Sequence, residues 1–159
     1  MSDSETTKPF AIESVPWEEW SEGTKFGSRL RRLGKFGGAS HVGVVMEELA
    51  PGMQSSPLHY HMLEEEHLMM LAGRATLRLG DQRYALSAGD YVVFPAGQKA
   101  GHALVNDSDE VCRFLMIGER NPNEVCVYPD SNKVLVCLTD ELYDKSAVRN
   151  YWAGEDTGA

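Results

Sequence analysis

Short apolar segments separated by turn-forming residues run through most of this chain. Residues 75–79 alternate apolar and polar side chains, which is the period of a strand with one buried face. Gly80 and Asp81 then indicate a hairpin turn, and residues 82–86 its returning strand. Many short strands at this spacing are typical of a β-sandwich or a β-barrel, so the sequence predicts an all-β fold.

The remaining strands are predicted from the same signals. Apolar or alternating segments bounded by turn-forming residues occur at 26–33, 41–49, 91–94, 102–106, 111–118, 125–128 and 133–138. The chain has no internal repeat and no linker, so residues 11–159 are expected to form a single domain. Residues 1–10 are predicted to be disordered, because the start of the chain is polar.

Two short helices are expected near the ends of this domain. Residues 14–20 combine Ser14 as a helix cap with Pro16 in the first turn. Residues 139–142 begin with Thr139, which is also a favourable cap. The prediction at this point is therefore a β-sandwich or β-barrel with short terminal helices.

Histidines and carboxylates cluster where the strands indicate a shared site. His59 and His61 are two residues apart, so on a strand both side chains point to the same face. Glu66 returns on the next predicted strand, and His102 is a fourth candidate farther along the chain. Imidazole and carboxylate groups in this arrangement are typical ligands of a divalent metal.

The spacing of these residues resembles the two motifs of the cupin superfamily. The first motif is matched by Gly52, His59, His61, Glu66 and Gly73, and the second by Gly89, Pro95, Gly97, His102 and Asn106. Six residues rather than five separate Gly52 from His59, and four rather than two separate Gly97 from His102. The resemblance implies a double-stranded β-helix, or jelly-roll barrel, of two antiparallel sheets, with His59, His61, Glu66 and His102 as metal ligands near one end.

A second resemblance lies towards the end of the chain. Residues 128–136 look like the tail of small bacterial cupins, some of which are provisionally assigned as sugar-phosphate isomerases. This resemblance implies a metal-dependent enzyme with isomerase-like chemistry. Because cupins can be enzymes or binding modules, two alternatives stay open: a non-haem iron dioxygenase and a non-catalytic cupin that binds a small ligand.

The predicted ligands indicate what the site would bind. Three neutral imidazoles and one carboxylate suit Zn, Fe, Mn, Co or Ni about equally, so the identity of the divalent transition metal stays open. With a 2+ ion the ligands leave a charge of +1, which favours a small anionic metabolite. Four protein ligands on a six-coordinate ion leave two positions for a chelating group, and the ion could act as a Lewis acid or activate water.

Further residues are candidates for contact with a substrate. Glu64 shares the alternation of Glu66 and could act as a catalytic base at the barrel mouth, although a solvated loop acid is the competing interpretation. Lys99, in the loop before His102, and Arg120 are candidate substrate-binding cations, although an exposed loop lysine is a common feature without function. His67 has the opposite alternation from Glu66, so we expect it to lie on the outer surface.

Composition narrows the classes of partner. The net charge of −9, from 15 basic and 24 acidic residues, argues against a nucleic-acid-binding surface. No apolar run is long enough to predict a membrane span, and the N-terminus lacks the apolar core of a signal peptide. The three cysteines are expected to be buried free thiols in a reducing cytoplasm. A homodimer is expected, with Trp17, Trp20 and Trp152 near the termini as anchors of exchanged arms.

Overall fold

The computed structural model describes residues 8–158 of the chain. Regular structure in this range consists of thirteen strands, a four-residue helix α1 at Leu33–Phe36, and 3-10 helices at Ile12–Ser14 and Lys145–Ala147. The strands are β1 Glu18–Glu22, β2 Phe26–Arg31, β3 Val42–Leu49, β4 Tyr60–His61, β5 Glu66–Ala72, β6 Arg74–Leu79, β7 Gln82–Ser87, β8 Tyr91–Phe94, β9 His102–Val105, β10 Cys112–Glu119, β11 Val125–Tyr128, β12 Lys133–Val136 and β13 Glu141–Asp144.

The strands form two facing layers. One layer is a six-stranded antiparallel sheet in the order β1-β2-β3-β10-β5-β8. The other contains the sheets β13-β12-β11-β4 and β7-β6-β9, which are joined by an antiparallel bridge between His59 and His102. Reciprocal backbone hydrogen bonds of 3.2 and 2.8 Å make that bridge. The predicted jelly-roll barrel of antiparallel sheets is therefore confirmed.

A hydrophobic core fills one end of the barrel, here called the closed end. Alternate residues of the central strands point inward, and Phe114 on β10 and Met70 on β5 are both fully buried. The side chains that pack around them include Leu49, Leu68, Leu77, Leu104 and Cys112. The opposite end carries the polar residues of the predicted site and is called the open end.

Both predictions of helical segments at the ends of the domain were wrong in their position. Of residues 14–20, Ser14 ends the first 3-10 helix and Glu18 begins β1, which pairs with β2 along its whole length. Residues 139–142 lead into β13, which pairs with β12. In both segments the edge of a sheet supplies hydrogen bonds that outweigh the local capping preference, and only the two 3-10 helices remain near these ends.

The predicted disorder of the N-terminus can be compared with the structure only in part. Of the segment 1–10 predicted to be disordered, residues 1–7 lie outside the described residues, and residues 8–10 belong to no helix or strand. The ring of Phe10 packs edge-on against Phe36, with 4.9 Å between centroids. The division into a disordered start and a single domain over 11–159 stays a prediction.

One of the three tryptophans expected to anchor exchanged arms packs within its own chain. The guanidinium groups of Arg29 and Arg31 lie 4.5 and 4.4 Å from the ring of Trp17. These cation–π contacts hold the N-terminal segment against the outer face of β2. Trp20 and Trp152 are exposed, and the homodimer itself stays a prediction.

The cysteines are free thiols. Cys112 and Cys126 are buried as predicted, and burial raises their thiol pKa values to about 11 and about 12. Cys137 is exposed instead, because it follows the end of β12 at the protein surface. Among the helices of residues 8–158, none has the length and apolar character needed to cross a membrane.

Candidate metal centre

The four residues predicted as ligands meet at the open end of the barrel. His61 ends β4, Glu66 begins β5 and His102 begins β9, while His59 precedes β4 by one residue. One donor atom from each lies within 4.8 Å of the others. The structure thus brings together residues from three different sheets, as the spacing of the two motifs indicates.

Hydrogen bonds orient three of these donors. Glu66 Oε2 lies 3.2 Å from His61 Nε2 and 3.0 Å from His102 Nε2. His59 Nδ1 lies 2.8 Å from the carbonyl oxygen of Pro57. Because a carbonyl can only accept, Nδ1 carries the proton and donates it there. The other nitrogen, Nε2, is therefore left with a lone pair for the cluster.

The surroundings of the two ring nitrogens of His61 indicate whether the cluster fits a metal. Both of its ring nitrogens are buried, and neither makes a well-aligned hydrogen bond within residues 8–158. Nδ1 lies 3.6 Å from Glu64 Oε2 and 3.9 Å from Glu124 Oε1. A buried polar atom without a partner costs free energy, and coordination of a cation would offset that cost. The donor set of three imidazoles and one carboxylate therefore fits a divalent transition metal.

The charge states of two of these residues suit metal binding. Burial, with help from the neighbouring His102, lowers the pKa of His59 to about 4, so its imidazole is neutral near pH 7. Burial opposes ionisation of Glu66, but the imidazoles of His102 and His61 outweigh it and hold the pKa of Glu66 well below its usual range. Burial likewise disfavours protonation of His61, yet the nearby carboxylate of Glu66 outweighs it and raises the pKa of His61. A neutral imidazole and an ionised carboxylate are the forms that bind metal, so an incoming ion would displace any proton held by His61.

Two neighbours that sequence reasoning missed shape the cluster. Phe94 stacks on the ring of His102, with 3.9 Å between centroids and 11° between planes. Gly118 lies opposite Glu66 in the β10–β5 register. A Cβ atom at Gly118 would lie only 3.1 Å from Glu66 Cγ, so the absence of a side chain leaves room for the carboxylate.

A third missed residue holds the loop that follows His61. Glu124 is 1% exposed and precedes β11. Its carboxylate accepts hydrogen bonds of 2.6–3.3 Å from the backbone N–H groups of Met62, Leu63, Glu64 and Val125. No sequence signal indicates this role, because the partners are backbone atoms about 60 positions away.

Comparison with known proteins matches the central part of the chain to a family. A family model described as the cupin domain matches residues 45–118, which contain all four residues of the cluster. Residues 45–118 therefore form a cupin domain. Two similar solved structures are a protein of Acidithiobacillus ferrooxidans provisionally assigned as a sugar phosphate isomerase and a cupin-superfamily sugar phosphate isomerase of Silicibacter pomeroyi.

Both structures are similar to this chain over nearly their whole length. The first is 29% identical with a TM-score of 0.82 and covers 92% of this chain and 97% of its own. The second is 29% identical with a TM-score of 0.79 and covers 88% and 94%. The quercetin 2,3-dioxygenase of Bacillus subtilis is 32% identical over 62 residues, or 39% of this chain. That match spans only 18% of the dioxygenase.

Glu64 lies next to the four-residue cluster, on the side of His61 that faces away from Glu66. Its Oε2 approaches His61 Nδ1, the ring nitrogen that faces away from Glu66, and its Oε1 accepts a hydrogen bond of 2.5 Å from the backbone N–H of Asn121. Burial raises the pKa of Glu64. This placement suits a carboxylate that orients an imidazole, while the predicted role as a base stays a prediction.

The two predicted substrate-binding cations lie outside the cluster. Lys99 is exposed in the loop before His102. Arg120 is also exposed, and it lies one residue beyond the end of β10 and two residues after Gly118. Its guanidinium covers Gly43, where a Cβ atom would lie 2.9 Å from Nε. Arg120 therefore borders the open end of the barrel. The loop that carries Lys99 also reaches this end, because the backbone N–H of Gly97 donates a hydrogen bond of 2.9 Å to the carbonyl oxygen of His61.

His67 lies on the outer surface of the cupin barrel, as predicted. Its Nε2 lies 3.0 Å from Glu65 Oε1 and its Nδ1 lies 2.6 Å from the hydroxyl of Tyr91. The alternation along β5 separates this pair from Glu66, which points inward. Of the three consecutive acids at 64–66, Glu66 is thus the one within the cluster.

Proposed function

We propose that this cupin domain is a metal-dependent enzyme that acts on a small anionic metabolite, with chemistry like that of sugar-phosphate isomerases. The observation that carries the proposal is the cluster of His59, His61, Glu66 and His102, in which the buried nitrogens of His61 have no aligned hydrogen-bond partner within residues 8–158. The two isomerase-named structures, similar over at least 88% of this chain, support that class of reaction.

Side chains in and around the four-residue cluster would position the part of the substrate that binds the metal. A divalent ion bound by the four residues would supply Lewis-acid polarisation of substrate oxygens. Burial keeps the imidazole of His59 neutral, while the carbonyl of Pro57 accepts its Nδ1 proton and so fixes its tautomer. Glu66 is held ionised by the histidines beside it. Glu124 holds the loop that carries Glu64 by accepting hydrogen bonds from three of its backbone N–H groups, and this fixes the position of Glu64 behind His61.

Isomerisation of an aldose to a ketose requires transfer of a proton between adjacent carbons, and Glu64 is our candidate for that role. A Glu64→Gln variant separates two functions. If Glu64 transfers the proton, turnover should fall at least about 100-fold while metal affinity stays within a few-fold. If Glu64 only orients His61, metal affinity should fall instead, by about 10- to 100-fold.

The direct test combines metal analysis with turnover. Protein purified without a metal-affinity column should contain about one divalent transition metal per chain by elemental analysis. A screen of aldose and ketose phosphates should then give a product that His61→Ala no longer forms. His67→Ala is the matched control, since it removes a histidine of the outer face and should change neither result. Absence of metal even after reconstitution would refute the proposal.

A non-haem iron dioxygenase is the second candidate, favoured by the similarity to quercetin 2,3-dioxygenase. The same four donors suit iron. Iron-loaded protein should then consume oxygen in the presence of an aromatic or enediol substrate, and the zinc-loaded protein should not. Binding of a chelating ligand without any product from either screen would indicate a non-catalytic binding cupin.

A further inference from the structure

A row of side chains leads away from the cluster across the smaller layer. Cys126 on β11 pairs with His61 on β4, so both share the inward face. Tyr128 is two residues farther along that face, and its ring centroid lies 5.8 Å from that of His59. Lys133 on β12 pairs with Tyr128, and its Nζ lies 5.0 Å from the centre of the Tyr128 ring. Lys133 therefore lies on the same face as the candidate ligands.

Lys133 is a cation available for a ligand. Among residues 8–158, no carboxylate oxygen lies within 4.0 Å of its ammonium group. Asp144 lies directly opposite it on β13, but its Oδ1 accepts hydrogen bonds from the backbone and hydroxyl of Ser146 and from Asn132. The nearest cross-strand acid is thus engaged in a turn, and the ammonium group rests on an aromatic ring.

We propose that Lys133, supported by the ring of Tyr128, binds the phosphate group of a metabolite whose opposite end is bound at the four-residue cluster. This inference rests on the proposed function. Two strand spacings, about 10 Å, separate the backbones of His59 and Lys133. That distance suits a substrate in which several carbon atoms lie between the chelating oxygens and the phosphate. A lysine on a flexible stem is a common point-charge partner of phosphate.

A matched pair of ligands separates the two ends of the site. Arabinonohydroxamate carries a metal-chelating group without a phosphate, and 5-phosphoarabinonohydroxamate adds the phosphate. Calorimetric titration of cobalt-loaded protein should show the phosphorylated compound binding at least about tenfold more tightly. Lys133→Gln should abolish that difference and leave the affinity for arabinonohydroxamate within about twofold. Lys133→Arg should retain most of it, because the charge is kept.

Controls come from the two other cations near the open end. Lys99→Gln and Arg120→Gln should each preserve the affinity difference between the two hydroxamates. Inorganic phosphate should compete with the phosphorylated compound in the wild type more strongly than in Lys133→Gln. Thermal unfolding of each variant within about 2 °C of the wild type verifies that the fold is intact, as expected for a surface substitution.

The outcomes distinguish this inference from the function on which it rests. If the difference survives in Lys133→Gln, or disappears in Arg120→Gln instead, Lys133 is not the phosphate-binding residue. If wild type binds both hydroxamates equally, the phosphate site is refuted while chelation at the cluster stands. If neither hydroxamate binds protein that contains cobalt, the proposed function itself fails.

A second inference concerns the outer face of the six-stranded sheet, an observation independent of the site. Alternate residues of β3, β5 and β8 present large apolar side chains that are 36–56% exposed, namely Val42, Met69, Leu71, Tyr91 and Val93. Half-buried Val44, Leu115 and Ile117 lie between them in the strand register. A contiguous apolar face of this kind marks an interaction surface.

Charges at the two ends of this face favour a second copy of the chain as its partner. One end carries Arg29 and Arg113, which share the buried carboxylate of Glu48, together with Arg31. The other end carries Glu65 and Glu119 beside His67. A two-fold rotation places the basic end of one copy on the acidic end of the other. We infer that the chain forms a homodimer through this outer face.

Sedimentation velocity tests the interface. Wild type should be a dimer at about 10 µM, and Val93→Arg should raise the dimer dissociation constant at least about 100-fold. Leu142→Arg is the matched control, because Leu142 is similarly exposed on β13 outside this face. A monomeric wild type, or a Val93→Arg protein as dimeric as the control, would overturn the inference.

Discussion

The closed and open ends of the barrel are built from the same strands but hold different side chains. Along the inward face of β10, fully buried Phe114 is followed at the open end by Gly118. Along β5, buried Met70 and Leu68 are preceded by the carboxylate of Glu66. The backbone pairing is continuous through both ends, so side-chain volume and polarity alone distinguish the packed core from the candidate site.

This contrast separates stability from chemistry. The closed end stabilises the fold through buried apolar area. The open end buries imidazoles and a carboxylate, which costs free energy unless these groups are paired or bind a cation. A change at one end should therefore affect metal affinity with little effect on stability, and a change at the other end should do the reverse. Four predictions test that separation.

The largest expected effect is on metal affinity. Glu66→Gln keeps the shape of the side chain but removes its charge from the cluster. Affinity for Co²⁺ or Zn²⁺ should fall at least about 1000-fold, measured by competition with a chromophoric chelator. Glu65→Gln, one position away on the outer face, should leave affinity unchanged. Equal losses in both variants would contradict the assignment of Glu66 to the cluster.

The second prediction concerns the core. Phe114→Ala should lower the free energy of unfolding by about 3–5 kcal/mol, because it leaves a cavity among the best-packed residues. Urea unfolding of the metal-free protein measures that change. The folded variant should still bind one metal per chain with unchanged affinity. A parallel loss of affinity would show that the two ends are coupled.

The third prediction concerns Glu47, a carboxyl group that lies among core residues rather than in the four-residue cluster. Glu47 lies on the inward face beside Phe114 and Leu30, and burial raises its pKa to about 7, with Ser28 and Arg32 opposing the shift only in part. Between its ordinary pKa of about 4.5 and pH 7, the folded state keeps a proton that the unfolded chain has lost. Stability therefore decreases as pH rises through this window, and the full cost remains above pH 7.

Removing the carboxyl group of Glu47 should increase the stability of the protein by an amount that depends on pH. Glu47→Gln should raise the free energy of unfolding by roughly 2 kcal/mol at pH 8 and by almost nothing at pH 4.5. Urea unfolding of both proteins at the two pH values gives the comparison. A gain of the same size at both pH values would mean that the proton on Glu47 is not its source.

The smallest predicted effect comes from a single methyl group. Gly118→Ala places a Cβ atom 3.1 Å from Glu66 Cγ and should weaken metal binding about tenfold by displacing the carboxylate. Gly43→Ala, in the same cross-strand row, meets the flexible guanidinium of Arg120 instead. That control should bind metal as the wild type does. If both alanines weaken binding alike, the close fit around Glu66 is not the cause.

The sequence was sufficient to predict the parts of the molecule that depend on alternation. The strands β6 and β7 and the turn at Gly80 between them follow from local residue types, and the structure confirms them. Opposite sides of β5 likewise separate Glu66 from His67. The spacing of the two cupin motifs indicated which histidines would meet the carboxylate.

Contacts between distant segments were not predictable in this way. Residues 14–20 carry a helix-capping signal, yet β2 offers a free sheet edge that the local sequence cannot reveal. Glu124 resembles any acid before a strand until its backbone partners are seen. The stacking of Phe94 on His102 also depends on the sheets having closed.

The origin of the four candidate ligands in three separate sheets has a consequence for the rate at which the protein unfolds. Any opening that separates β4, β5 and β9 would first have to break bonds to a bound ion. Because His102 is 36 positions from Glu66, the complete geometry of the cluster forms only after the strands have paired. A bound metal should therefore slow unfolding much more than it accelerates folding, and the lifetime of the loaded barrel would be set by an activation barrier.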